Sequence, residues 1–237
     1  MKTIEIITSY SIHEEPTIKN RLTPIIDSLL NKNYKVYLIS NDKKKFPRPY
    51  KNFIHLTTSL NYKSTNKFFL RLLYEFIVSL KLIKISNKIN GNYVFLTVPS
   101  VFLLFFVFMI KNKKIHLDIR DLVWEYLFKN RLILKIIKFL IKKNFQYTNS
   151  ISFTNEFEKR NLQQYGFDKK RMYQISNGIS EHNFNSLKKI KVCKMKRPTV
   201  SYIGNIGTAQ NLKILIDVAN LMPQVNFNIV GKGIDLD

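Results

Sequence analysis

Apolar positions along this chain alternate between two rhythms. Short, nearly unbroken apolar runs read as strands: Lys2 to Thr8, Tyr34 to Ser40, Tyr93 to Val98, Lys114 to Ile119 and Ser150 to Thr154. Runs with so little polar alternation are expected of strands covered on both faces, as in a parallel sheet. Between them lie stretches with helical spacing. Thr17 to Asn31 gathers Ile18, Leu22, Ile25, Ile26, Leu29 and Leu30 on one face. Asn66 to Ile89 carries Phe69, Leu72, Leu73, Phe76, Ile77, Leu80 and Ile83, and Asn90-Gly91-Asn92 ends it with a glycine cap. Phe53 to Leu56 and Met172 to Ile175 add two short strands. Pro99 to Lys111, Asn130 to Lys143 and Glu156 to Tyr165 add three helices. The order strand, helix, strand predicts an α/β fold: a Rossmann-like, doubly wound parallel sheet.

The rhythm breaks after Ser176-Asn177-Gly178-Ile179. The segment KKIKVCKMKRP, 188–198, is basic, aperiodic and ends in proline, so it reads as a linker. The pattern then restarts with a strand at Thr199 to Ile203, a small-residue loop at Gly204 to Gln210, a helix at Asn211 to Leu221 and a strand at Val225 to Val230. Two strands and a helix cannot cover their own apolar faces. The expected organisation is therefore a first domain over 1–187, the linker, and an incomplete start of a second domain over 199–237.

Composition narrows the picture. The 237 residues are 45% hydrophobic and 23% charged, as in a packed globular protein. The single cysteine, Cys193, forms no intrachain disulfide. The most apolar stretch, Tyr93 to Ile110, is divided by Pro99-Ser100, so it reads as strand, turn and helix rather than a membrane span. The formal net charge of +23 leaves three readings open. An anionic membrane surface comes first, lysine-biased usage second, and nucleic acid third, because arginine clusters are missing. On the helix Asn130 to Lys143, the basic residues Arg131, Lys135, Lys138 and Lys142 fall in one narrow stripe among apolar neighbours. Such a helix is either nearly buried with one solvated face or rests on anionic headgroups.

Chemistry-bearing residues cluster after strands. Gly204-Asn205-Ile206-Gly207 links a strand to a helix, a place where backbone amides suit a phosphate or simply form a tight turn. Asp118-Ile119-Arg120-Asp121 ends a strand, and alternation puts Asp118 and Arg120 on one face. Either they form an internal ion pair or Arg120 and Asp121 line a site, with Trp124 and Glu125 close behind. Ser176-Asn177-Gly178 is a turn with a binding role left open. His13, Glu14 and Glu15 occupy the first βα loop, as acid–base candidates or as a solvated loop. His55, His116 and His182 lack metal-ligand spacing.

These segments together resemble family-4 glycosyltransferases of the GT-B fold, of the type that builds bacterial surface polysaccharides. The likeness is carried by HLDIRDLVWE (His116 to Glu125), SFTNEFEKRNLQQYG, ISNGIS, YIGNIGTAQNLKILIDVA and FNIVGKG. It implies transfer of a sugar from a nucleotide-diphosphate sugar to a lipid-linked saccharide at the cytoplasmic membrane face, with no cofactor and no metal. It implies donor contacts at Gly204, Asn205, Ile206, Gly207, Gly231, Lys232 and Gly233. It implies acceptor-side roles for Arg120 and Asp121 in catalysis, and for His13, Glu14, Asp118, Trp124, Asn177 and Gly178 in substrate binding. The family's first βα loop is often glycine-rich, whereas SYSIHEEPT has no glycine. Its paired glutamates have no counterpart here, so the chain is expected to be a truncated form lacking most of the donor site and inactive by itself. The competing readings are a non-catalytic membrane-associated module and a nucleic-acid binder.

Overall fold

The computed structural model describes residues 1–47, 50–58, 60, 68–98, 100–122, 124–127, 130–191, 196–207, 210–233 and 235. The chain divides into two compact units, Met1–Gly178 and Ile179–Asp237.

The first unit is built on a seven-stranded sheet: β1 (Thr3–Ile7), β2 (Lys35–Ser40), β3 (Phe53–Thr57), β4 (Tyr93–Val98), β5 (Lys114–Ile119), β6 (Ser150–Phe153) and β7 (Met172–Gln174). Their order is β3-β2-β1-β4-β5-β6-β7 and every pairing is parallel. The strand order reverses between β1 and β4, which leaves a crevice above their carboxyl ends.

Helices cover both faces. Helix α1 (Pro16–Asn31) lies on one, sealed by a cluster of Ile6, Ile18, Leu22, Ile26, Leu30, Val36 and Leu38. Helices α2 (Phe68–Ser86), α3 (Val101–Phe105), α5 (Arg131–Phe145) and α6 (Glu156–Gln164) join the larger cluster around Ile7, Ile39, Leu82, Leu96, Leu117 and Ile151. Adjacent strand residues thus feed opposite cores, as the pleat requires. Local signals fix the helix starts. Pro16 stands in the first turn of α1, and the Asn130 side chain accepts from the amides of Leu132 and Ile133 to open α5. Asn155 caps α6 in the same way.

The structure departs from the sequence reading in several places. The helix expected over Pro99 to Lys111 is only α3 followed by a 3₁₀ turn at Val107–Met109, because Phe106 leaves helical geometry and the next amides reach back three residues instead of four. Pro99 itself lies outside the described residues. A short helix, α4 (Trp124–Leu127), follows β5, and α7 (Glu181–Lys188) opens the second unit, capped by the Ser180 hydroxyl. Neither has a long apolar stripe that periodicity could reveal. Cys193 lies outside the described residues.

In the second unit, β8 (Thr199–Asn205) and β9 (Asn226–Lys232) pair in parallel, with α8 (Lys213–Leu221) between them. The strand β8 runs through Gly204 and Asn205, which sequence placed in the loop. The two backbones approach too closely for side chains here. A Cβ on Gly231 would sit 1.8 Å from the Gly204 carbonyl oxygen, and one on Gly233 would sit 1.6 Å from that of Ile206. Large apolar side chains remain exposed on this unit, including Ile203, Ile214, Leu221 and Val230.

Buried acids are each neutralised locally. Glu5, fully enclosed, takes a hydrogen bond from Ser86 and an ion pair from Lys113 at 2.6 Å. Burial raises its pKa, against the lowering effect of Lys113 and Ser86. A Cβ on Gly91 would lie 2.1 Å from the Glu5 Oε1 atom. Gly91→Ala should therefore displace that carboxylate and lower stability by about 2–4 kcal/mol, read as a shift in the urea midpoint.

Asp42, at the end of β2, accepts from Ser40 and Ser11 and from the amides of Ile12 and His13. His55 completes this cluster. Its Nδ1 accepts from the Phe46 amide, so Nε2 carries the proton toward Ser40, 2.6 Å away. Burial pulls the His55 pKa down to about 4, with Asp42 opposing and His13 and Lys45 assisting. Above pH 6.5 the ring is neutral whether the chain is folded or not. As pH falls from 6.5 to about 4, the unfolded chain takes up the proton first, so stability falls, by about 3 kcal/mol in all. Chemical denaturation across that window should show this slope, and His55→Gln should flatten it.

Candidate functional site

The crevice above β1 and β4 is lined by polar side chains from four elements. Tyr10 comes from the loop after β1, Asn41 from the end of β2, Tyr74, Glu75 and the exposed Arg71 from one flank of α2, and Ser100 from the turn after β4. Glu75 ties them together: Oε1 receives the Arg71 Nε at 3.2 Å and Oε2 receives the Ser100 hydroxyl at 3.3 Å. The Arg71 guanidinium and the Tyr10 hydroxyl also lie near enough to influence each other electrostatically. Beside them the Asn41 amide donates to the Tyr74 hydroxyl at 2.6 Å. Burial, then the Glu75 charge, raises the Tyr10 pKa, so its hydroxyl stays protonated and able to donate. Arg71 and Glu75 sit four residues apart in α2, which puts both on one helix face. This set was missed by the sequence reading. The usable signal was a charged i, i+4 pair inside an otherwise apolar helix.

One strand further along, β5 delivers the Asp-Ile-Arg-Asp segment. Asp118 is wholly enclosed and is held by Arg21 of α1, with Nε at 2.7 Å and Nη2 at 2.5 Å, and by the Ser152 hydroxyl at 2.6 Å. Its ion-pair partner is thus Arg21, and not Arg120, and its enclosed carboxylate is taken up by protein donors. Arg120 reaches the Thr17 carbonyl at 3.4 Å through Nη1, while its Nε is buried with no hydrogen-bond partner among the described residues. Asp121 is exposed, and partial burial of its carboxyl, then the Glu158 charge, raises its pKa against the pull of Arg120. Glu158 accepts from the Thr154 amide and hydroxyl at the end of β6.

The remaining expected site residues are dispersed. Trp124 is fully buried and donates to the Tyr165 hydroxyl at 2.8 Å, so it is a core residue and not a site wall. That tyrosine in turn donates to Glu125, which pairs with Lys138 at 2.6 Å. His13 is exposed and meets the Phe46 ring edge-on, and Glu14 pairs loosely with Lys43 at 3.7 Å. Asn177 and Gly178 are exposed, and a Cβ on Gly178 would meet open space. His116 is boxed in by the Ser150 and Ser152 hydroxyls and stacked on Phe95, and burial lowers its pKa. In the second unit the Ile206 amide donates to the Lys232 carbonyl at 2.8 Å, extending the ladder, and Gly207 follows at the loop. Among the described residues no cluster of three or more His, Cys, Asp or Glu side chains forms a metal-ligand set.

No protein-family model matches the chain, and no curated protein matches its sequence. Solved structures match its shape. Sucrose-phosphate synthase from Thermosynechococcus elongatus aligns over 97% of this chain and 62% of its own, at 13% identity and a TM-score of 0.63. The apo form of the lipopolysaccharide outer core galactosyltransferase WaaB aligns over 99% of this chain and 62% of its own, at 12% identity and a TM-score of 0.58. This is a GT-B-type α/β fold. A third GT-B structure, Arabidopsis thaliana UGT89C1 complexed with UDP-L-rhamnose, covers 96% of this chain and 63% of its own, at 9% identity and a TM-score of 0.54. The chain thus spans less than two thirds of the length of each of these GT-B structures.

The Arg21–Asp118 pair is the anchor to test. Arg21→Ala leaves a buried carboxylate without its countercharge and should cost about 3–5 kcal/mol of unfolding free energy. Removing both charges in Arg21→Leu/Asp118→Asn should recover part of that loss, as measured by denaturant titration.

Proposed function

We propose that this chain serves sugar transfer, its first unit taking the acceptor and its second opening the nucleotide-sugar side. The observation that carries the reading is the Tyr10–Arg71–Glu75–Ser100 constellation at the point where a GT-B-type sheet reverses strand order. Paired carboxylate, guanidinium and hydroxyl groups beyond the carboxyl ends of a parallel sheet suit the hydroxyls of a saccharide. In the proposed step an acceptor hydroxyl oxygen bonds to the anomeric carbon as the bond from that carbon to the diphosphate breaks. The electron pair leaves with the nucleotide diphosphate, and the acceptor's proton passes to a carboxylate. Asp121, whose pKa is raised, is the candidate proton acceptor, with Arg120 beside it. On the donor side, Gly204, Asn205, Ile206, Gly207, Gly231, Lys232 and Gly233 are the proposed neighbours of the diphosphate; the Ile206 amide is already given to the Lys232 carbonyl, so the lysine ammonium is the group that would balance its charge.

The finer reading is a family-4 enzyme of bacterial surface-polysaccharide synthesis, with a lipid-linked saccharide as acceptor, acting at the inner face of the cytoplasmic membrane. The high positive charge supports that location. No described helix is long and apolar enough to cross a membrane, so the proposed association is peripheral.

Saturation-transfer NMR of this chain with short alkyl glycosides tests the acceptor site. Binding is expected, and Glu75→Gln and Arg71→Ala should each weaken it about tenfold while leaving circular dichroism unchanged. Binding that survives both substitutions at full strength removes the acceptor assignment.

A further inference from the structure

The two faces of the first unit are dressed differently. Helix α1 hides its large apolar side chains: none of them is among the exposed hydrophobics of the molecule. The opposite face does not. On α2, Phe69, Leu70, Leu73, Phe76 and Ile77 point outward, with Phe69 79% exposed. On α5, Leu132, Ile133, Ile136, Phe139 and Leu140 are exposed, with Leu132 at 68%. Helix α3 lies between and touches both. Its Phe102 and the nearby Phe106 meet the α2 Phe76 ring at 5.7 and 5.2 Å. These ring contacts tie the exposed apolar side chains of α2 to the half-buried Phe102 and Phe106, and α3 in turn packs against α5. Of the two readings left open for this helix, nearly buried with one solvated face does not hold. Only Ile137, Ile141, Asn144 and Phe145 of that helix are buried, and Lys138 turns inward to Glu125.

The charges on this face have one sign. Arg131, Lys135, Lys142 and Lys143 flank the exposed apolar residues of α5, and Lys81 and Lys84 follow those of α2. The Lys143 ammonium rides 4.8 Å above the Phe139 ring. The only acid in the three helices is Glu75, which is already engaged by Arg71 and Ser100. Apolar patches of this extent mark an interaction surface. Large aliphatic and aromatic side chains framed by lysines match an anionic bilayer: the apolar groups enter the headgroup boundary, and the long lysine stems keep their ammonium groups among the phosphates.

We propose that the α2–α3–α5 face docks the protein on an anionic membrane surface, with α5 lying in the interface. This deepens the peripheral association proposed above by naming the face that docks, and it is separable from sugar transfer, since docking needs no saccharide and no nucleotide. It also places Arg71 and Glu75, on the flank of the same α2, beside the lipid surface.

Vesicle flotation tests it, using phosphatidylcholine vesicles with and without phosphatidylglycerol. The chain should float only with the anionic vesicles, and less in high salt. Lys135→Glu/Lys142→Glu/Lys143→Glu should weaken partitioning at least tenfold. The same number of reversals on α1 and its cap, at Lys19 and Lys32, together with Lys2, should leave it nearly unchanged. Ile136→Ser/Phe139→Ser should weaken it at low salt, where charge alone would still act. Phe139→Trp adds a second readout. The native Trp124 is buried, so a blue shift on adding vesicles and quenching by brominated lipid would report Phe139→Trp entering the interface. Equal loss from the α1-side and α5 reversals would show attraction by net charge alone and overturn the assignment. So would an absence of flotation, or conversion of a dimer to a monomer by the α5 variants, which would make the face a contact between copies.

Discussion

The ion pair between Arg21 and Asp118 holds the site end of the first unit together. Asp118 sits near the end of β5, Arg21 rises from α1, Ser152 reaches in from β6, and Arg21 also donates to the Ile175 carbonyl just past β7. The guanidinium and the carboxylate it holds thus together tie a helix to three consecutive strands near their ends. A buried pair of this kind contributes little net stability over an apolar replacement, but its geometry is strict, because either charge alone is costly. What it secures is the position of Arg120 and Asp121, two and three residues further on, at the rim where ligands of parallel sheets collect.

Among the described residues three acids, Glu5, Asp42 and Asp118, are at most 1% exposed, and each is stabilised by a different means. Glu5 has an ammonium and a hydroxyl. Asp118 has a bidentate guanidinium and a hydroxyl. Asp42 has hydroxyls, backbone amides and an imidazole that burial keeps neutral. The first arrangement lies low on the sheet and constrains packing around Gly91. The other two lie at the carboxyl edge and shape loops. Structural rigidity at that edge therefore comes from polar networks, whereas the two apolar clusters hold the sheet to its helices.

Much of the architecture was legible because burial on both faces writes itself into the sequence. The continuous apolar runs of β1, β2, β4 and β5 locate the sheet, and the spacing of Ile18, Leu22 and Ile26 locates the buried stripe of α1. Short elements were not legible. Helices α4 and α7 are too brief to show a period, and the break at Phe106 depends on how α3 packs. Site residues divide the same way. Asp118 stood out as a charge in a strand, but sequence cannot say that its partner comes from Arg21, 97 positions away. Trp124 looked available because aromatic residues near strand ends often line clefts, yet its indole is spent inside the core on Tyr165. Arg71 and Glu75 were hidden in a helix whose apolar content suggested nothing but packing. The apolar stripe of α5 was legible as a pattern, but whether it faced the core or the solvent was a question of what lay beside it.

The first βα loop carries a further consequence. It has no glycine, and its amides at Ile12 and His13 are turned onto the side chain of Asp42. A resident carboxylate thus occupies the position that an anionic ligand would take in a loop of open amides. The loop is folded before any ligand arrives, and it has no electrostatic vacancy to offer a phosphate. An anion reaching this loop would therefore have to displace Asp42 from the Ile12 and His13 amides before it could bind them.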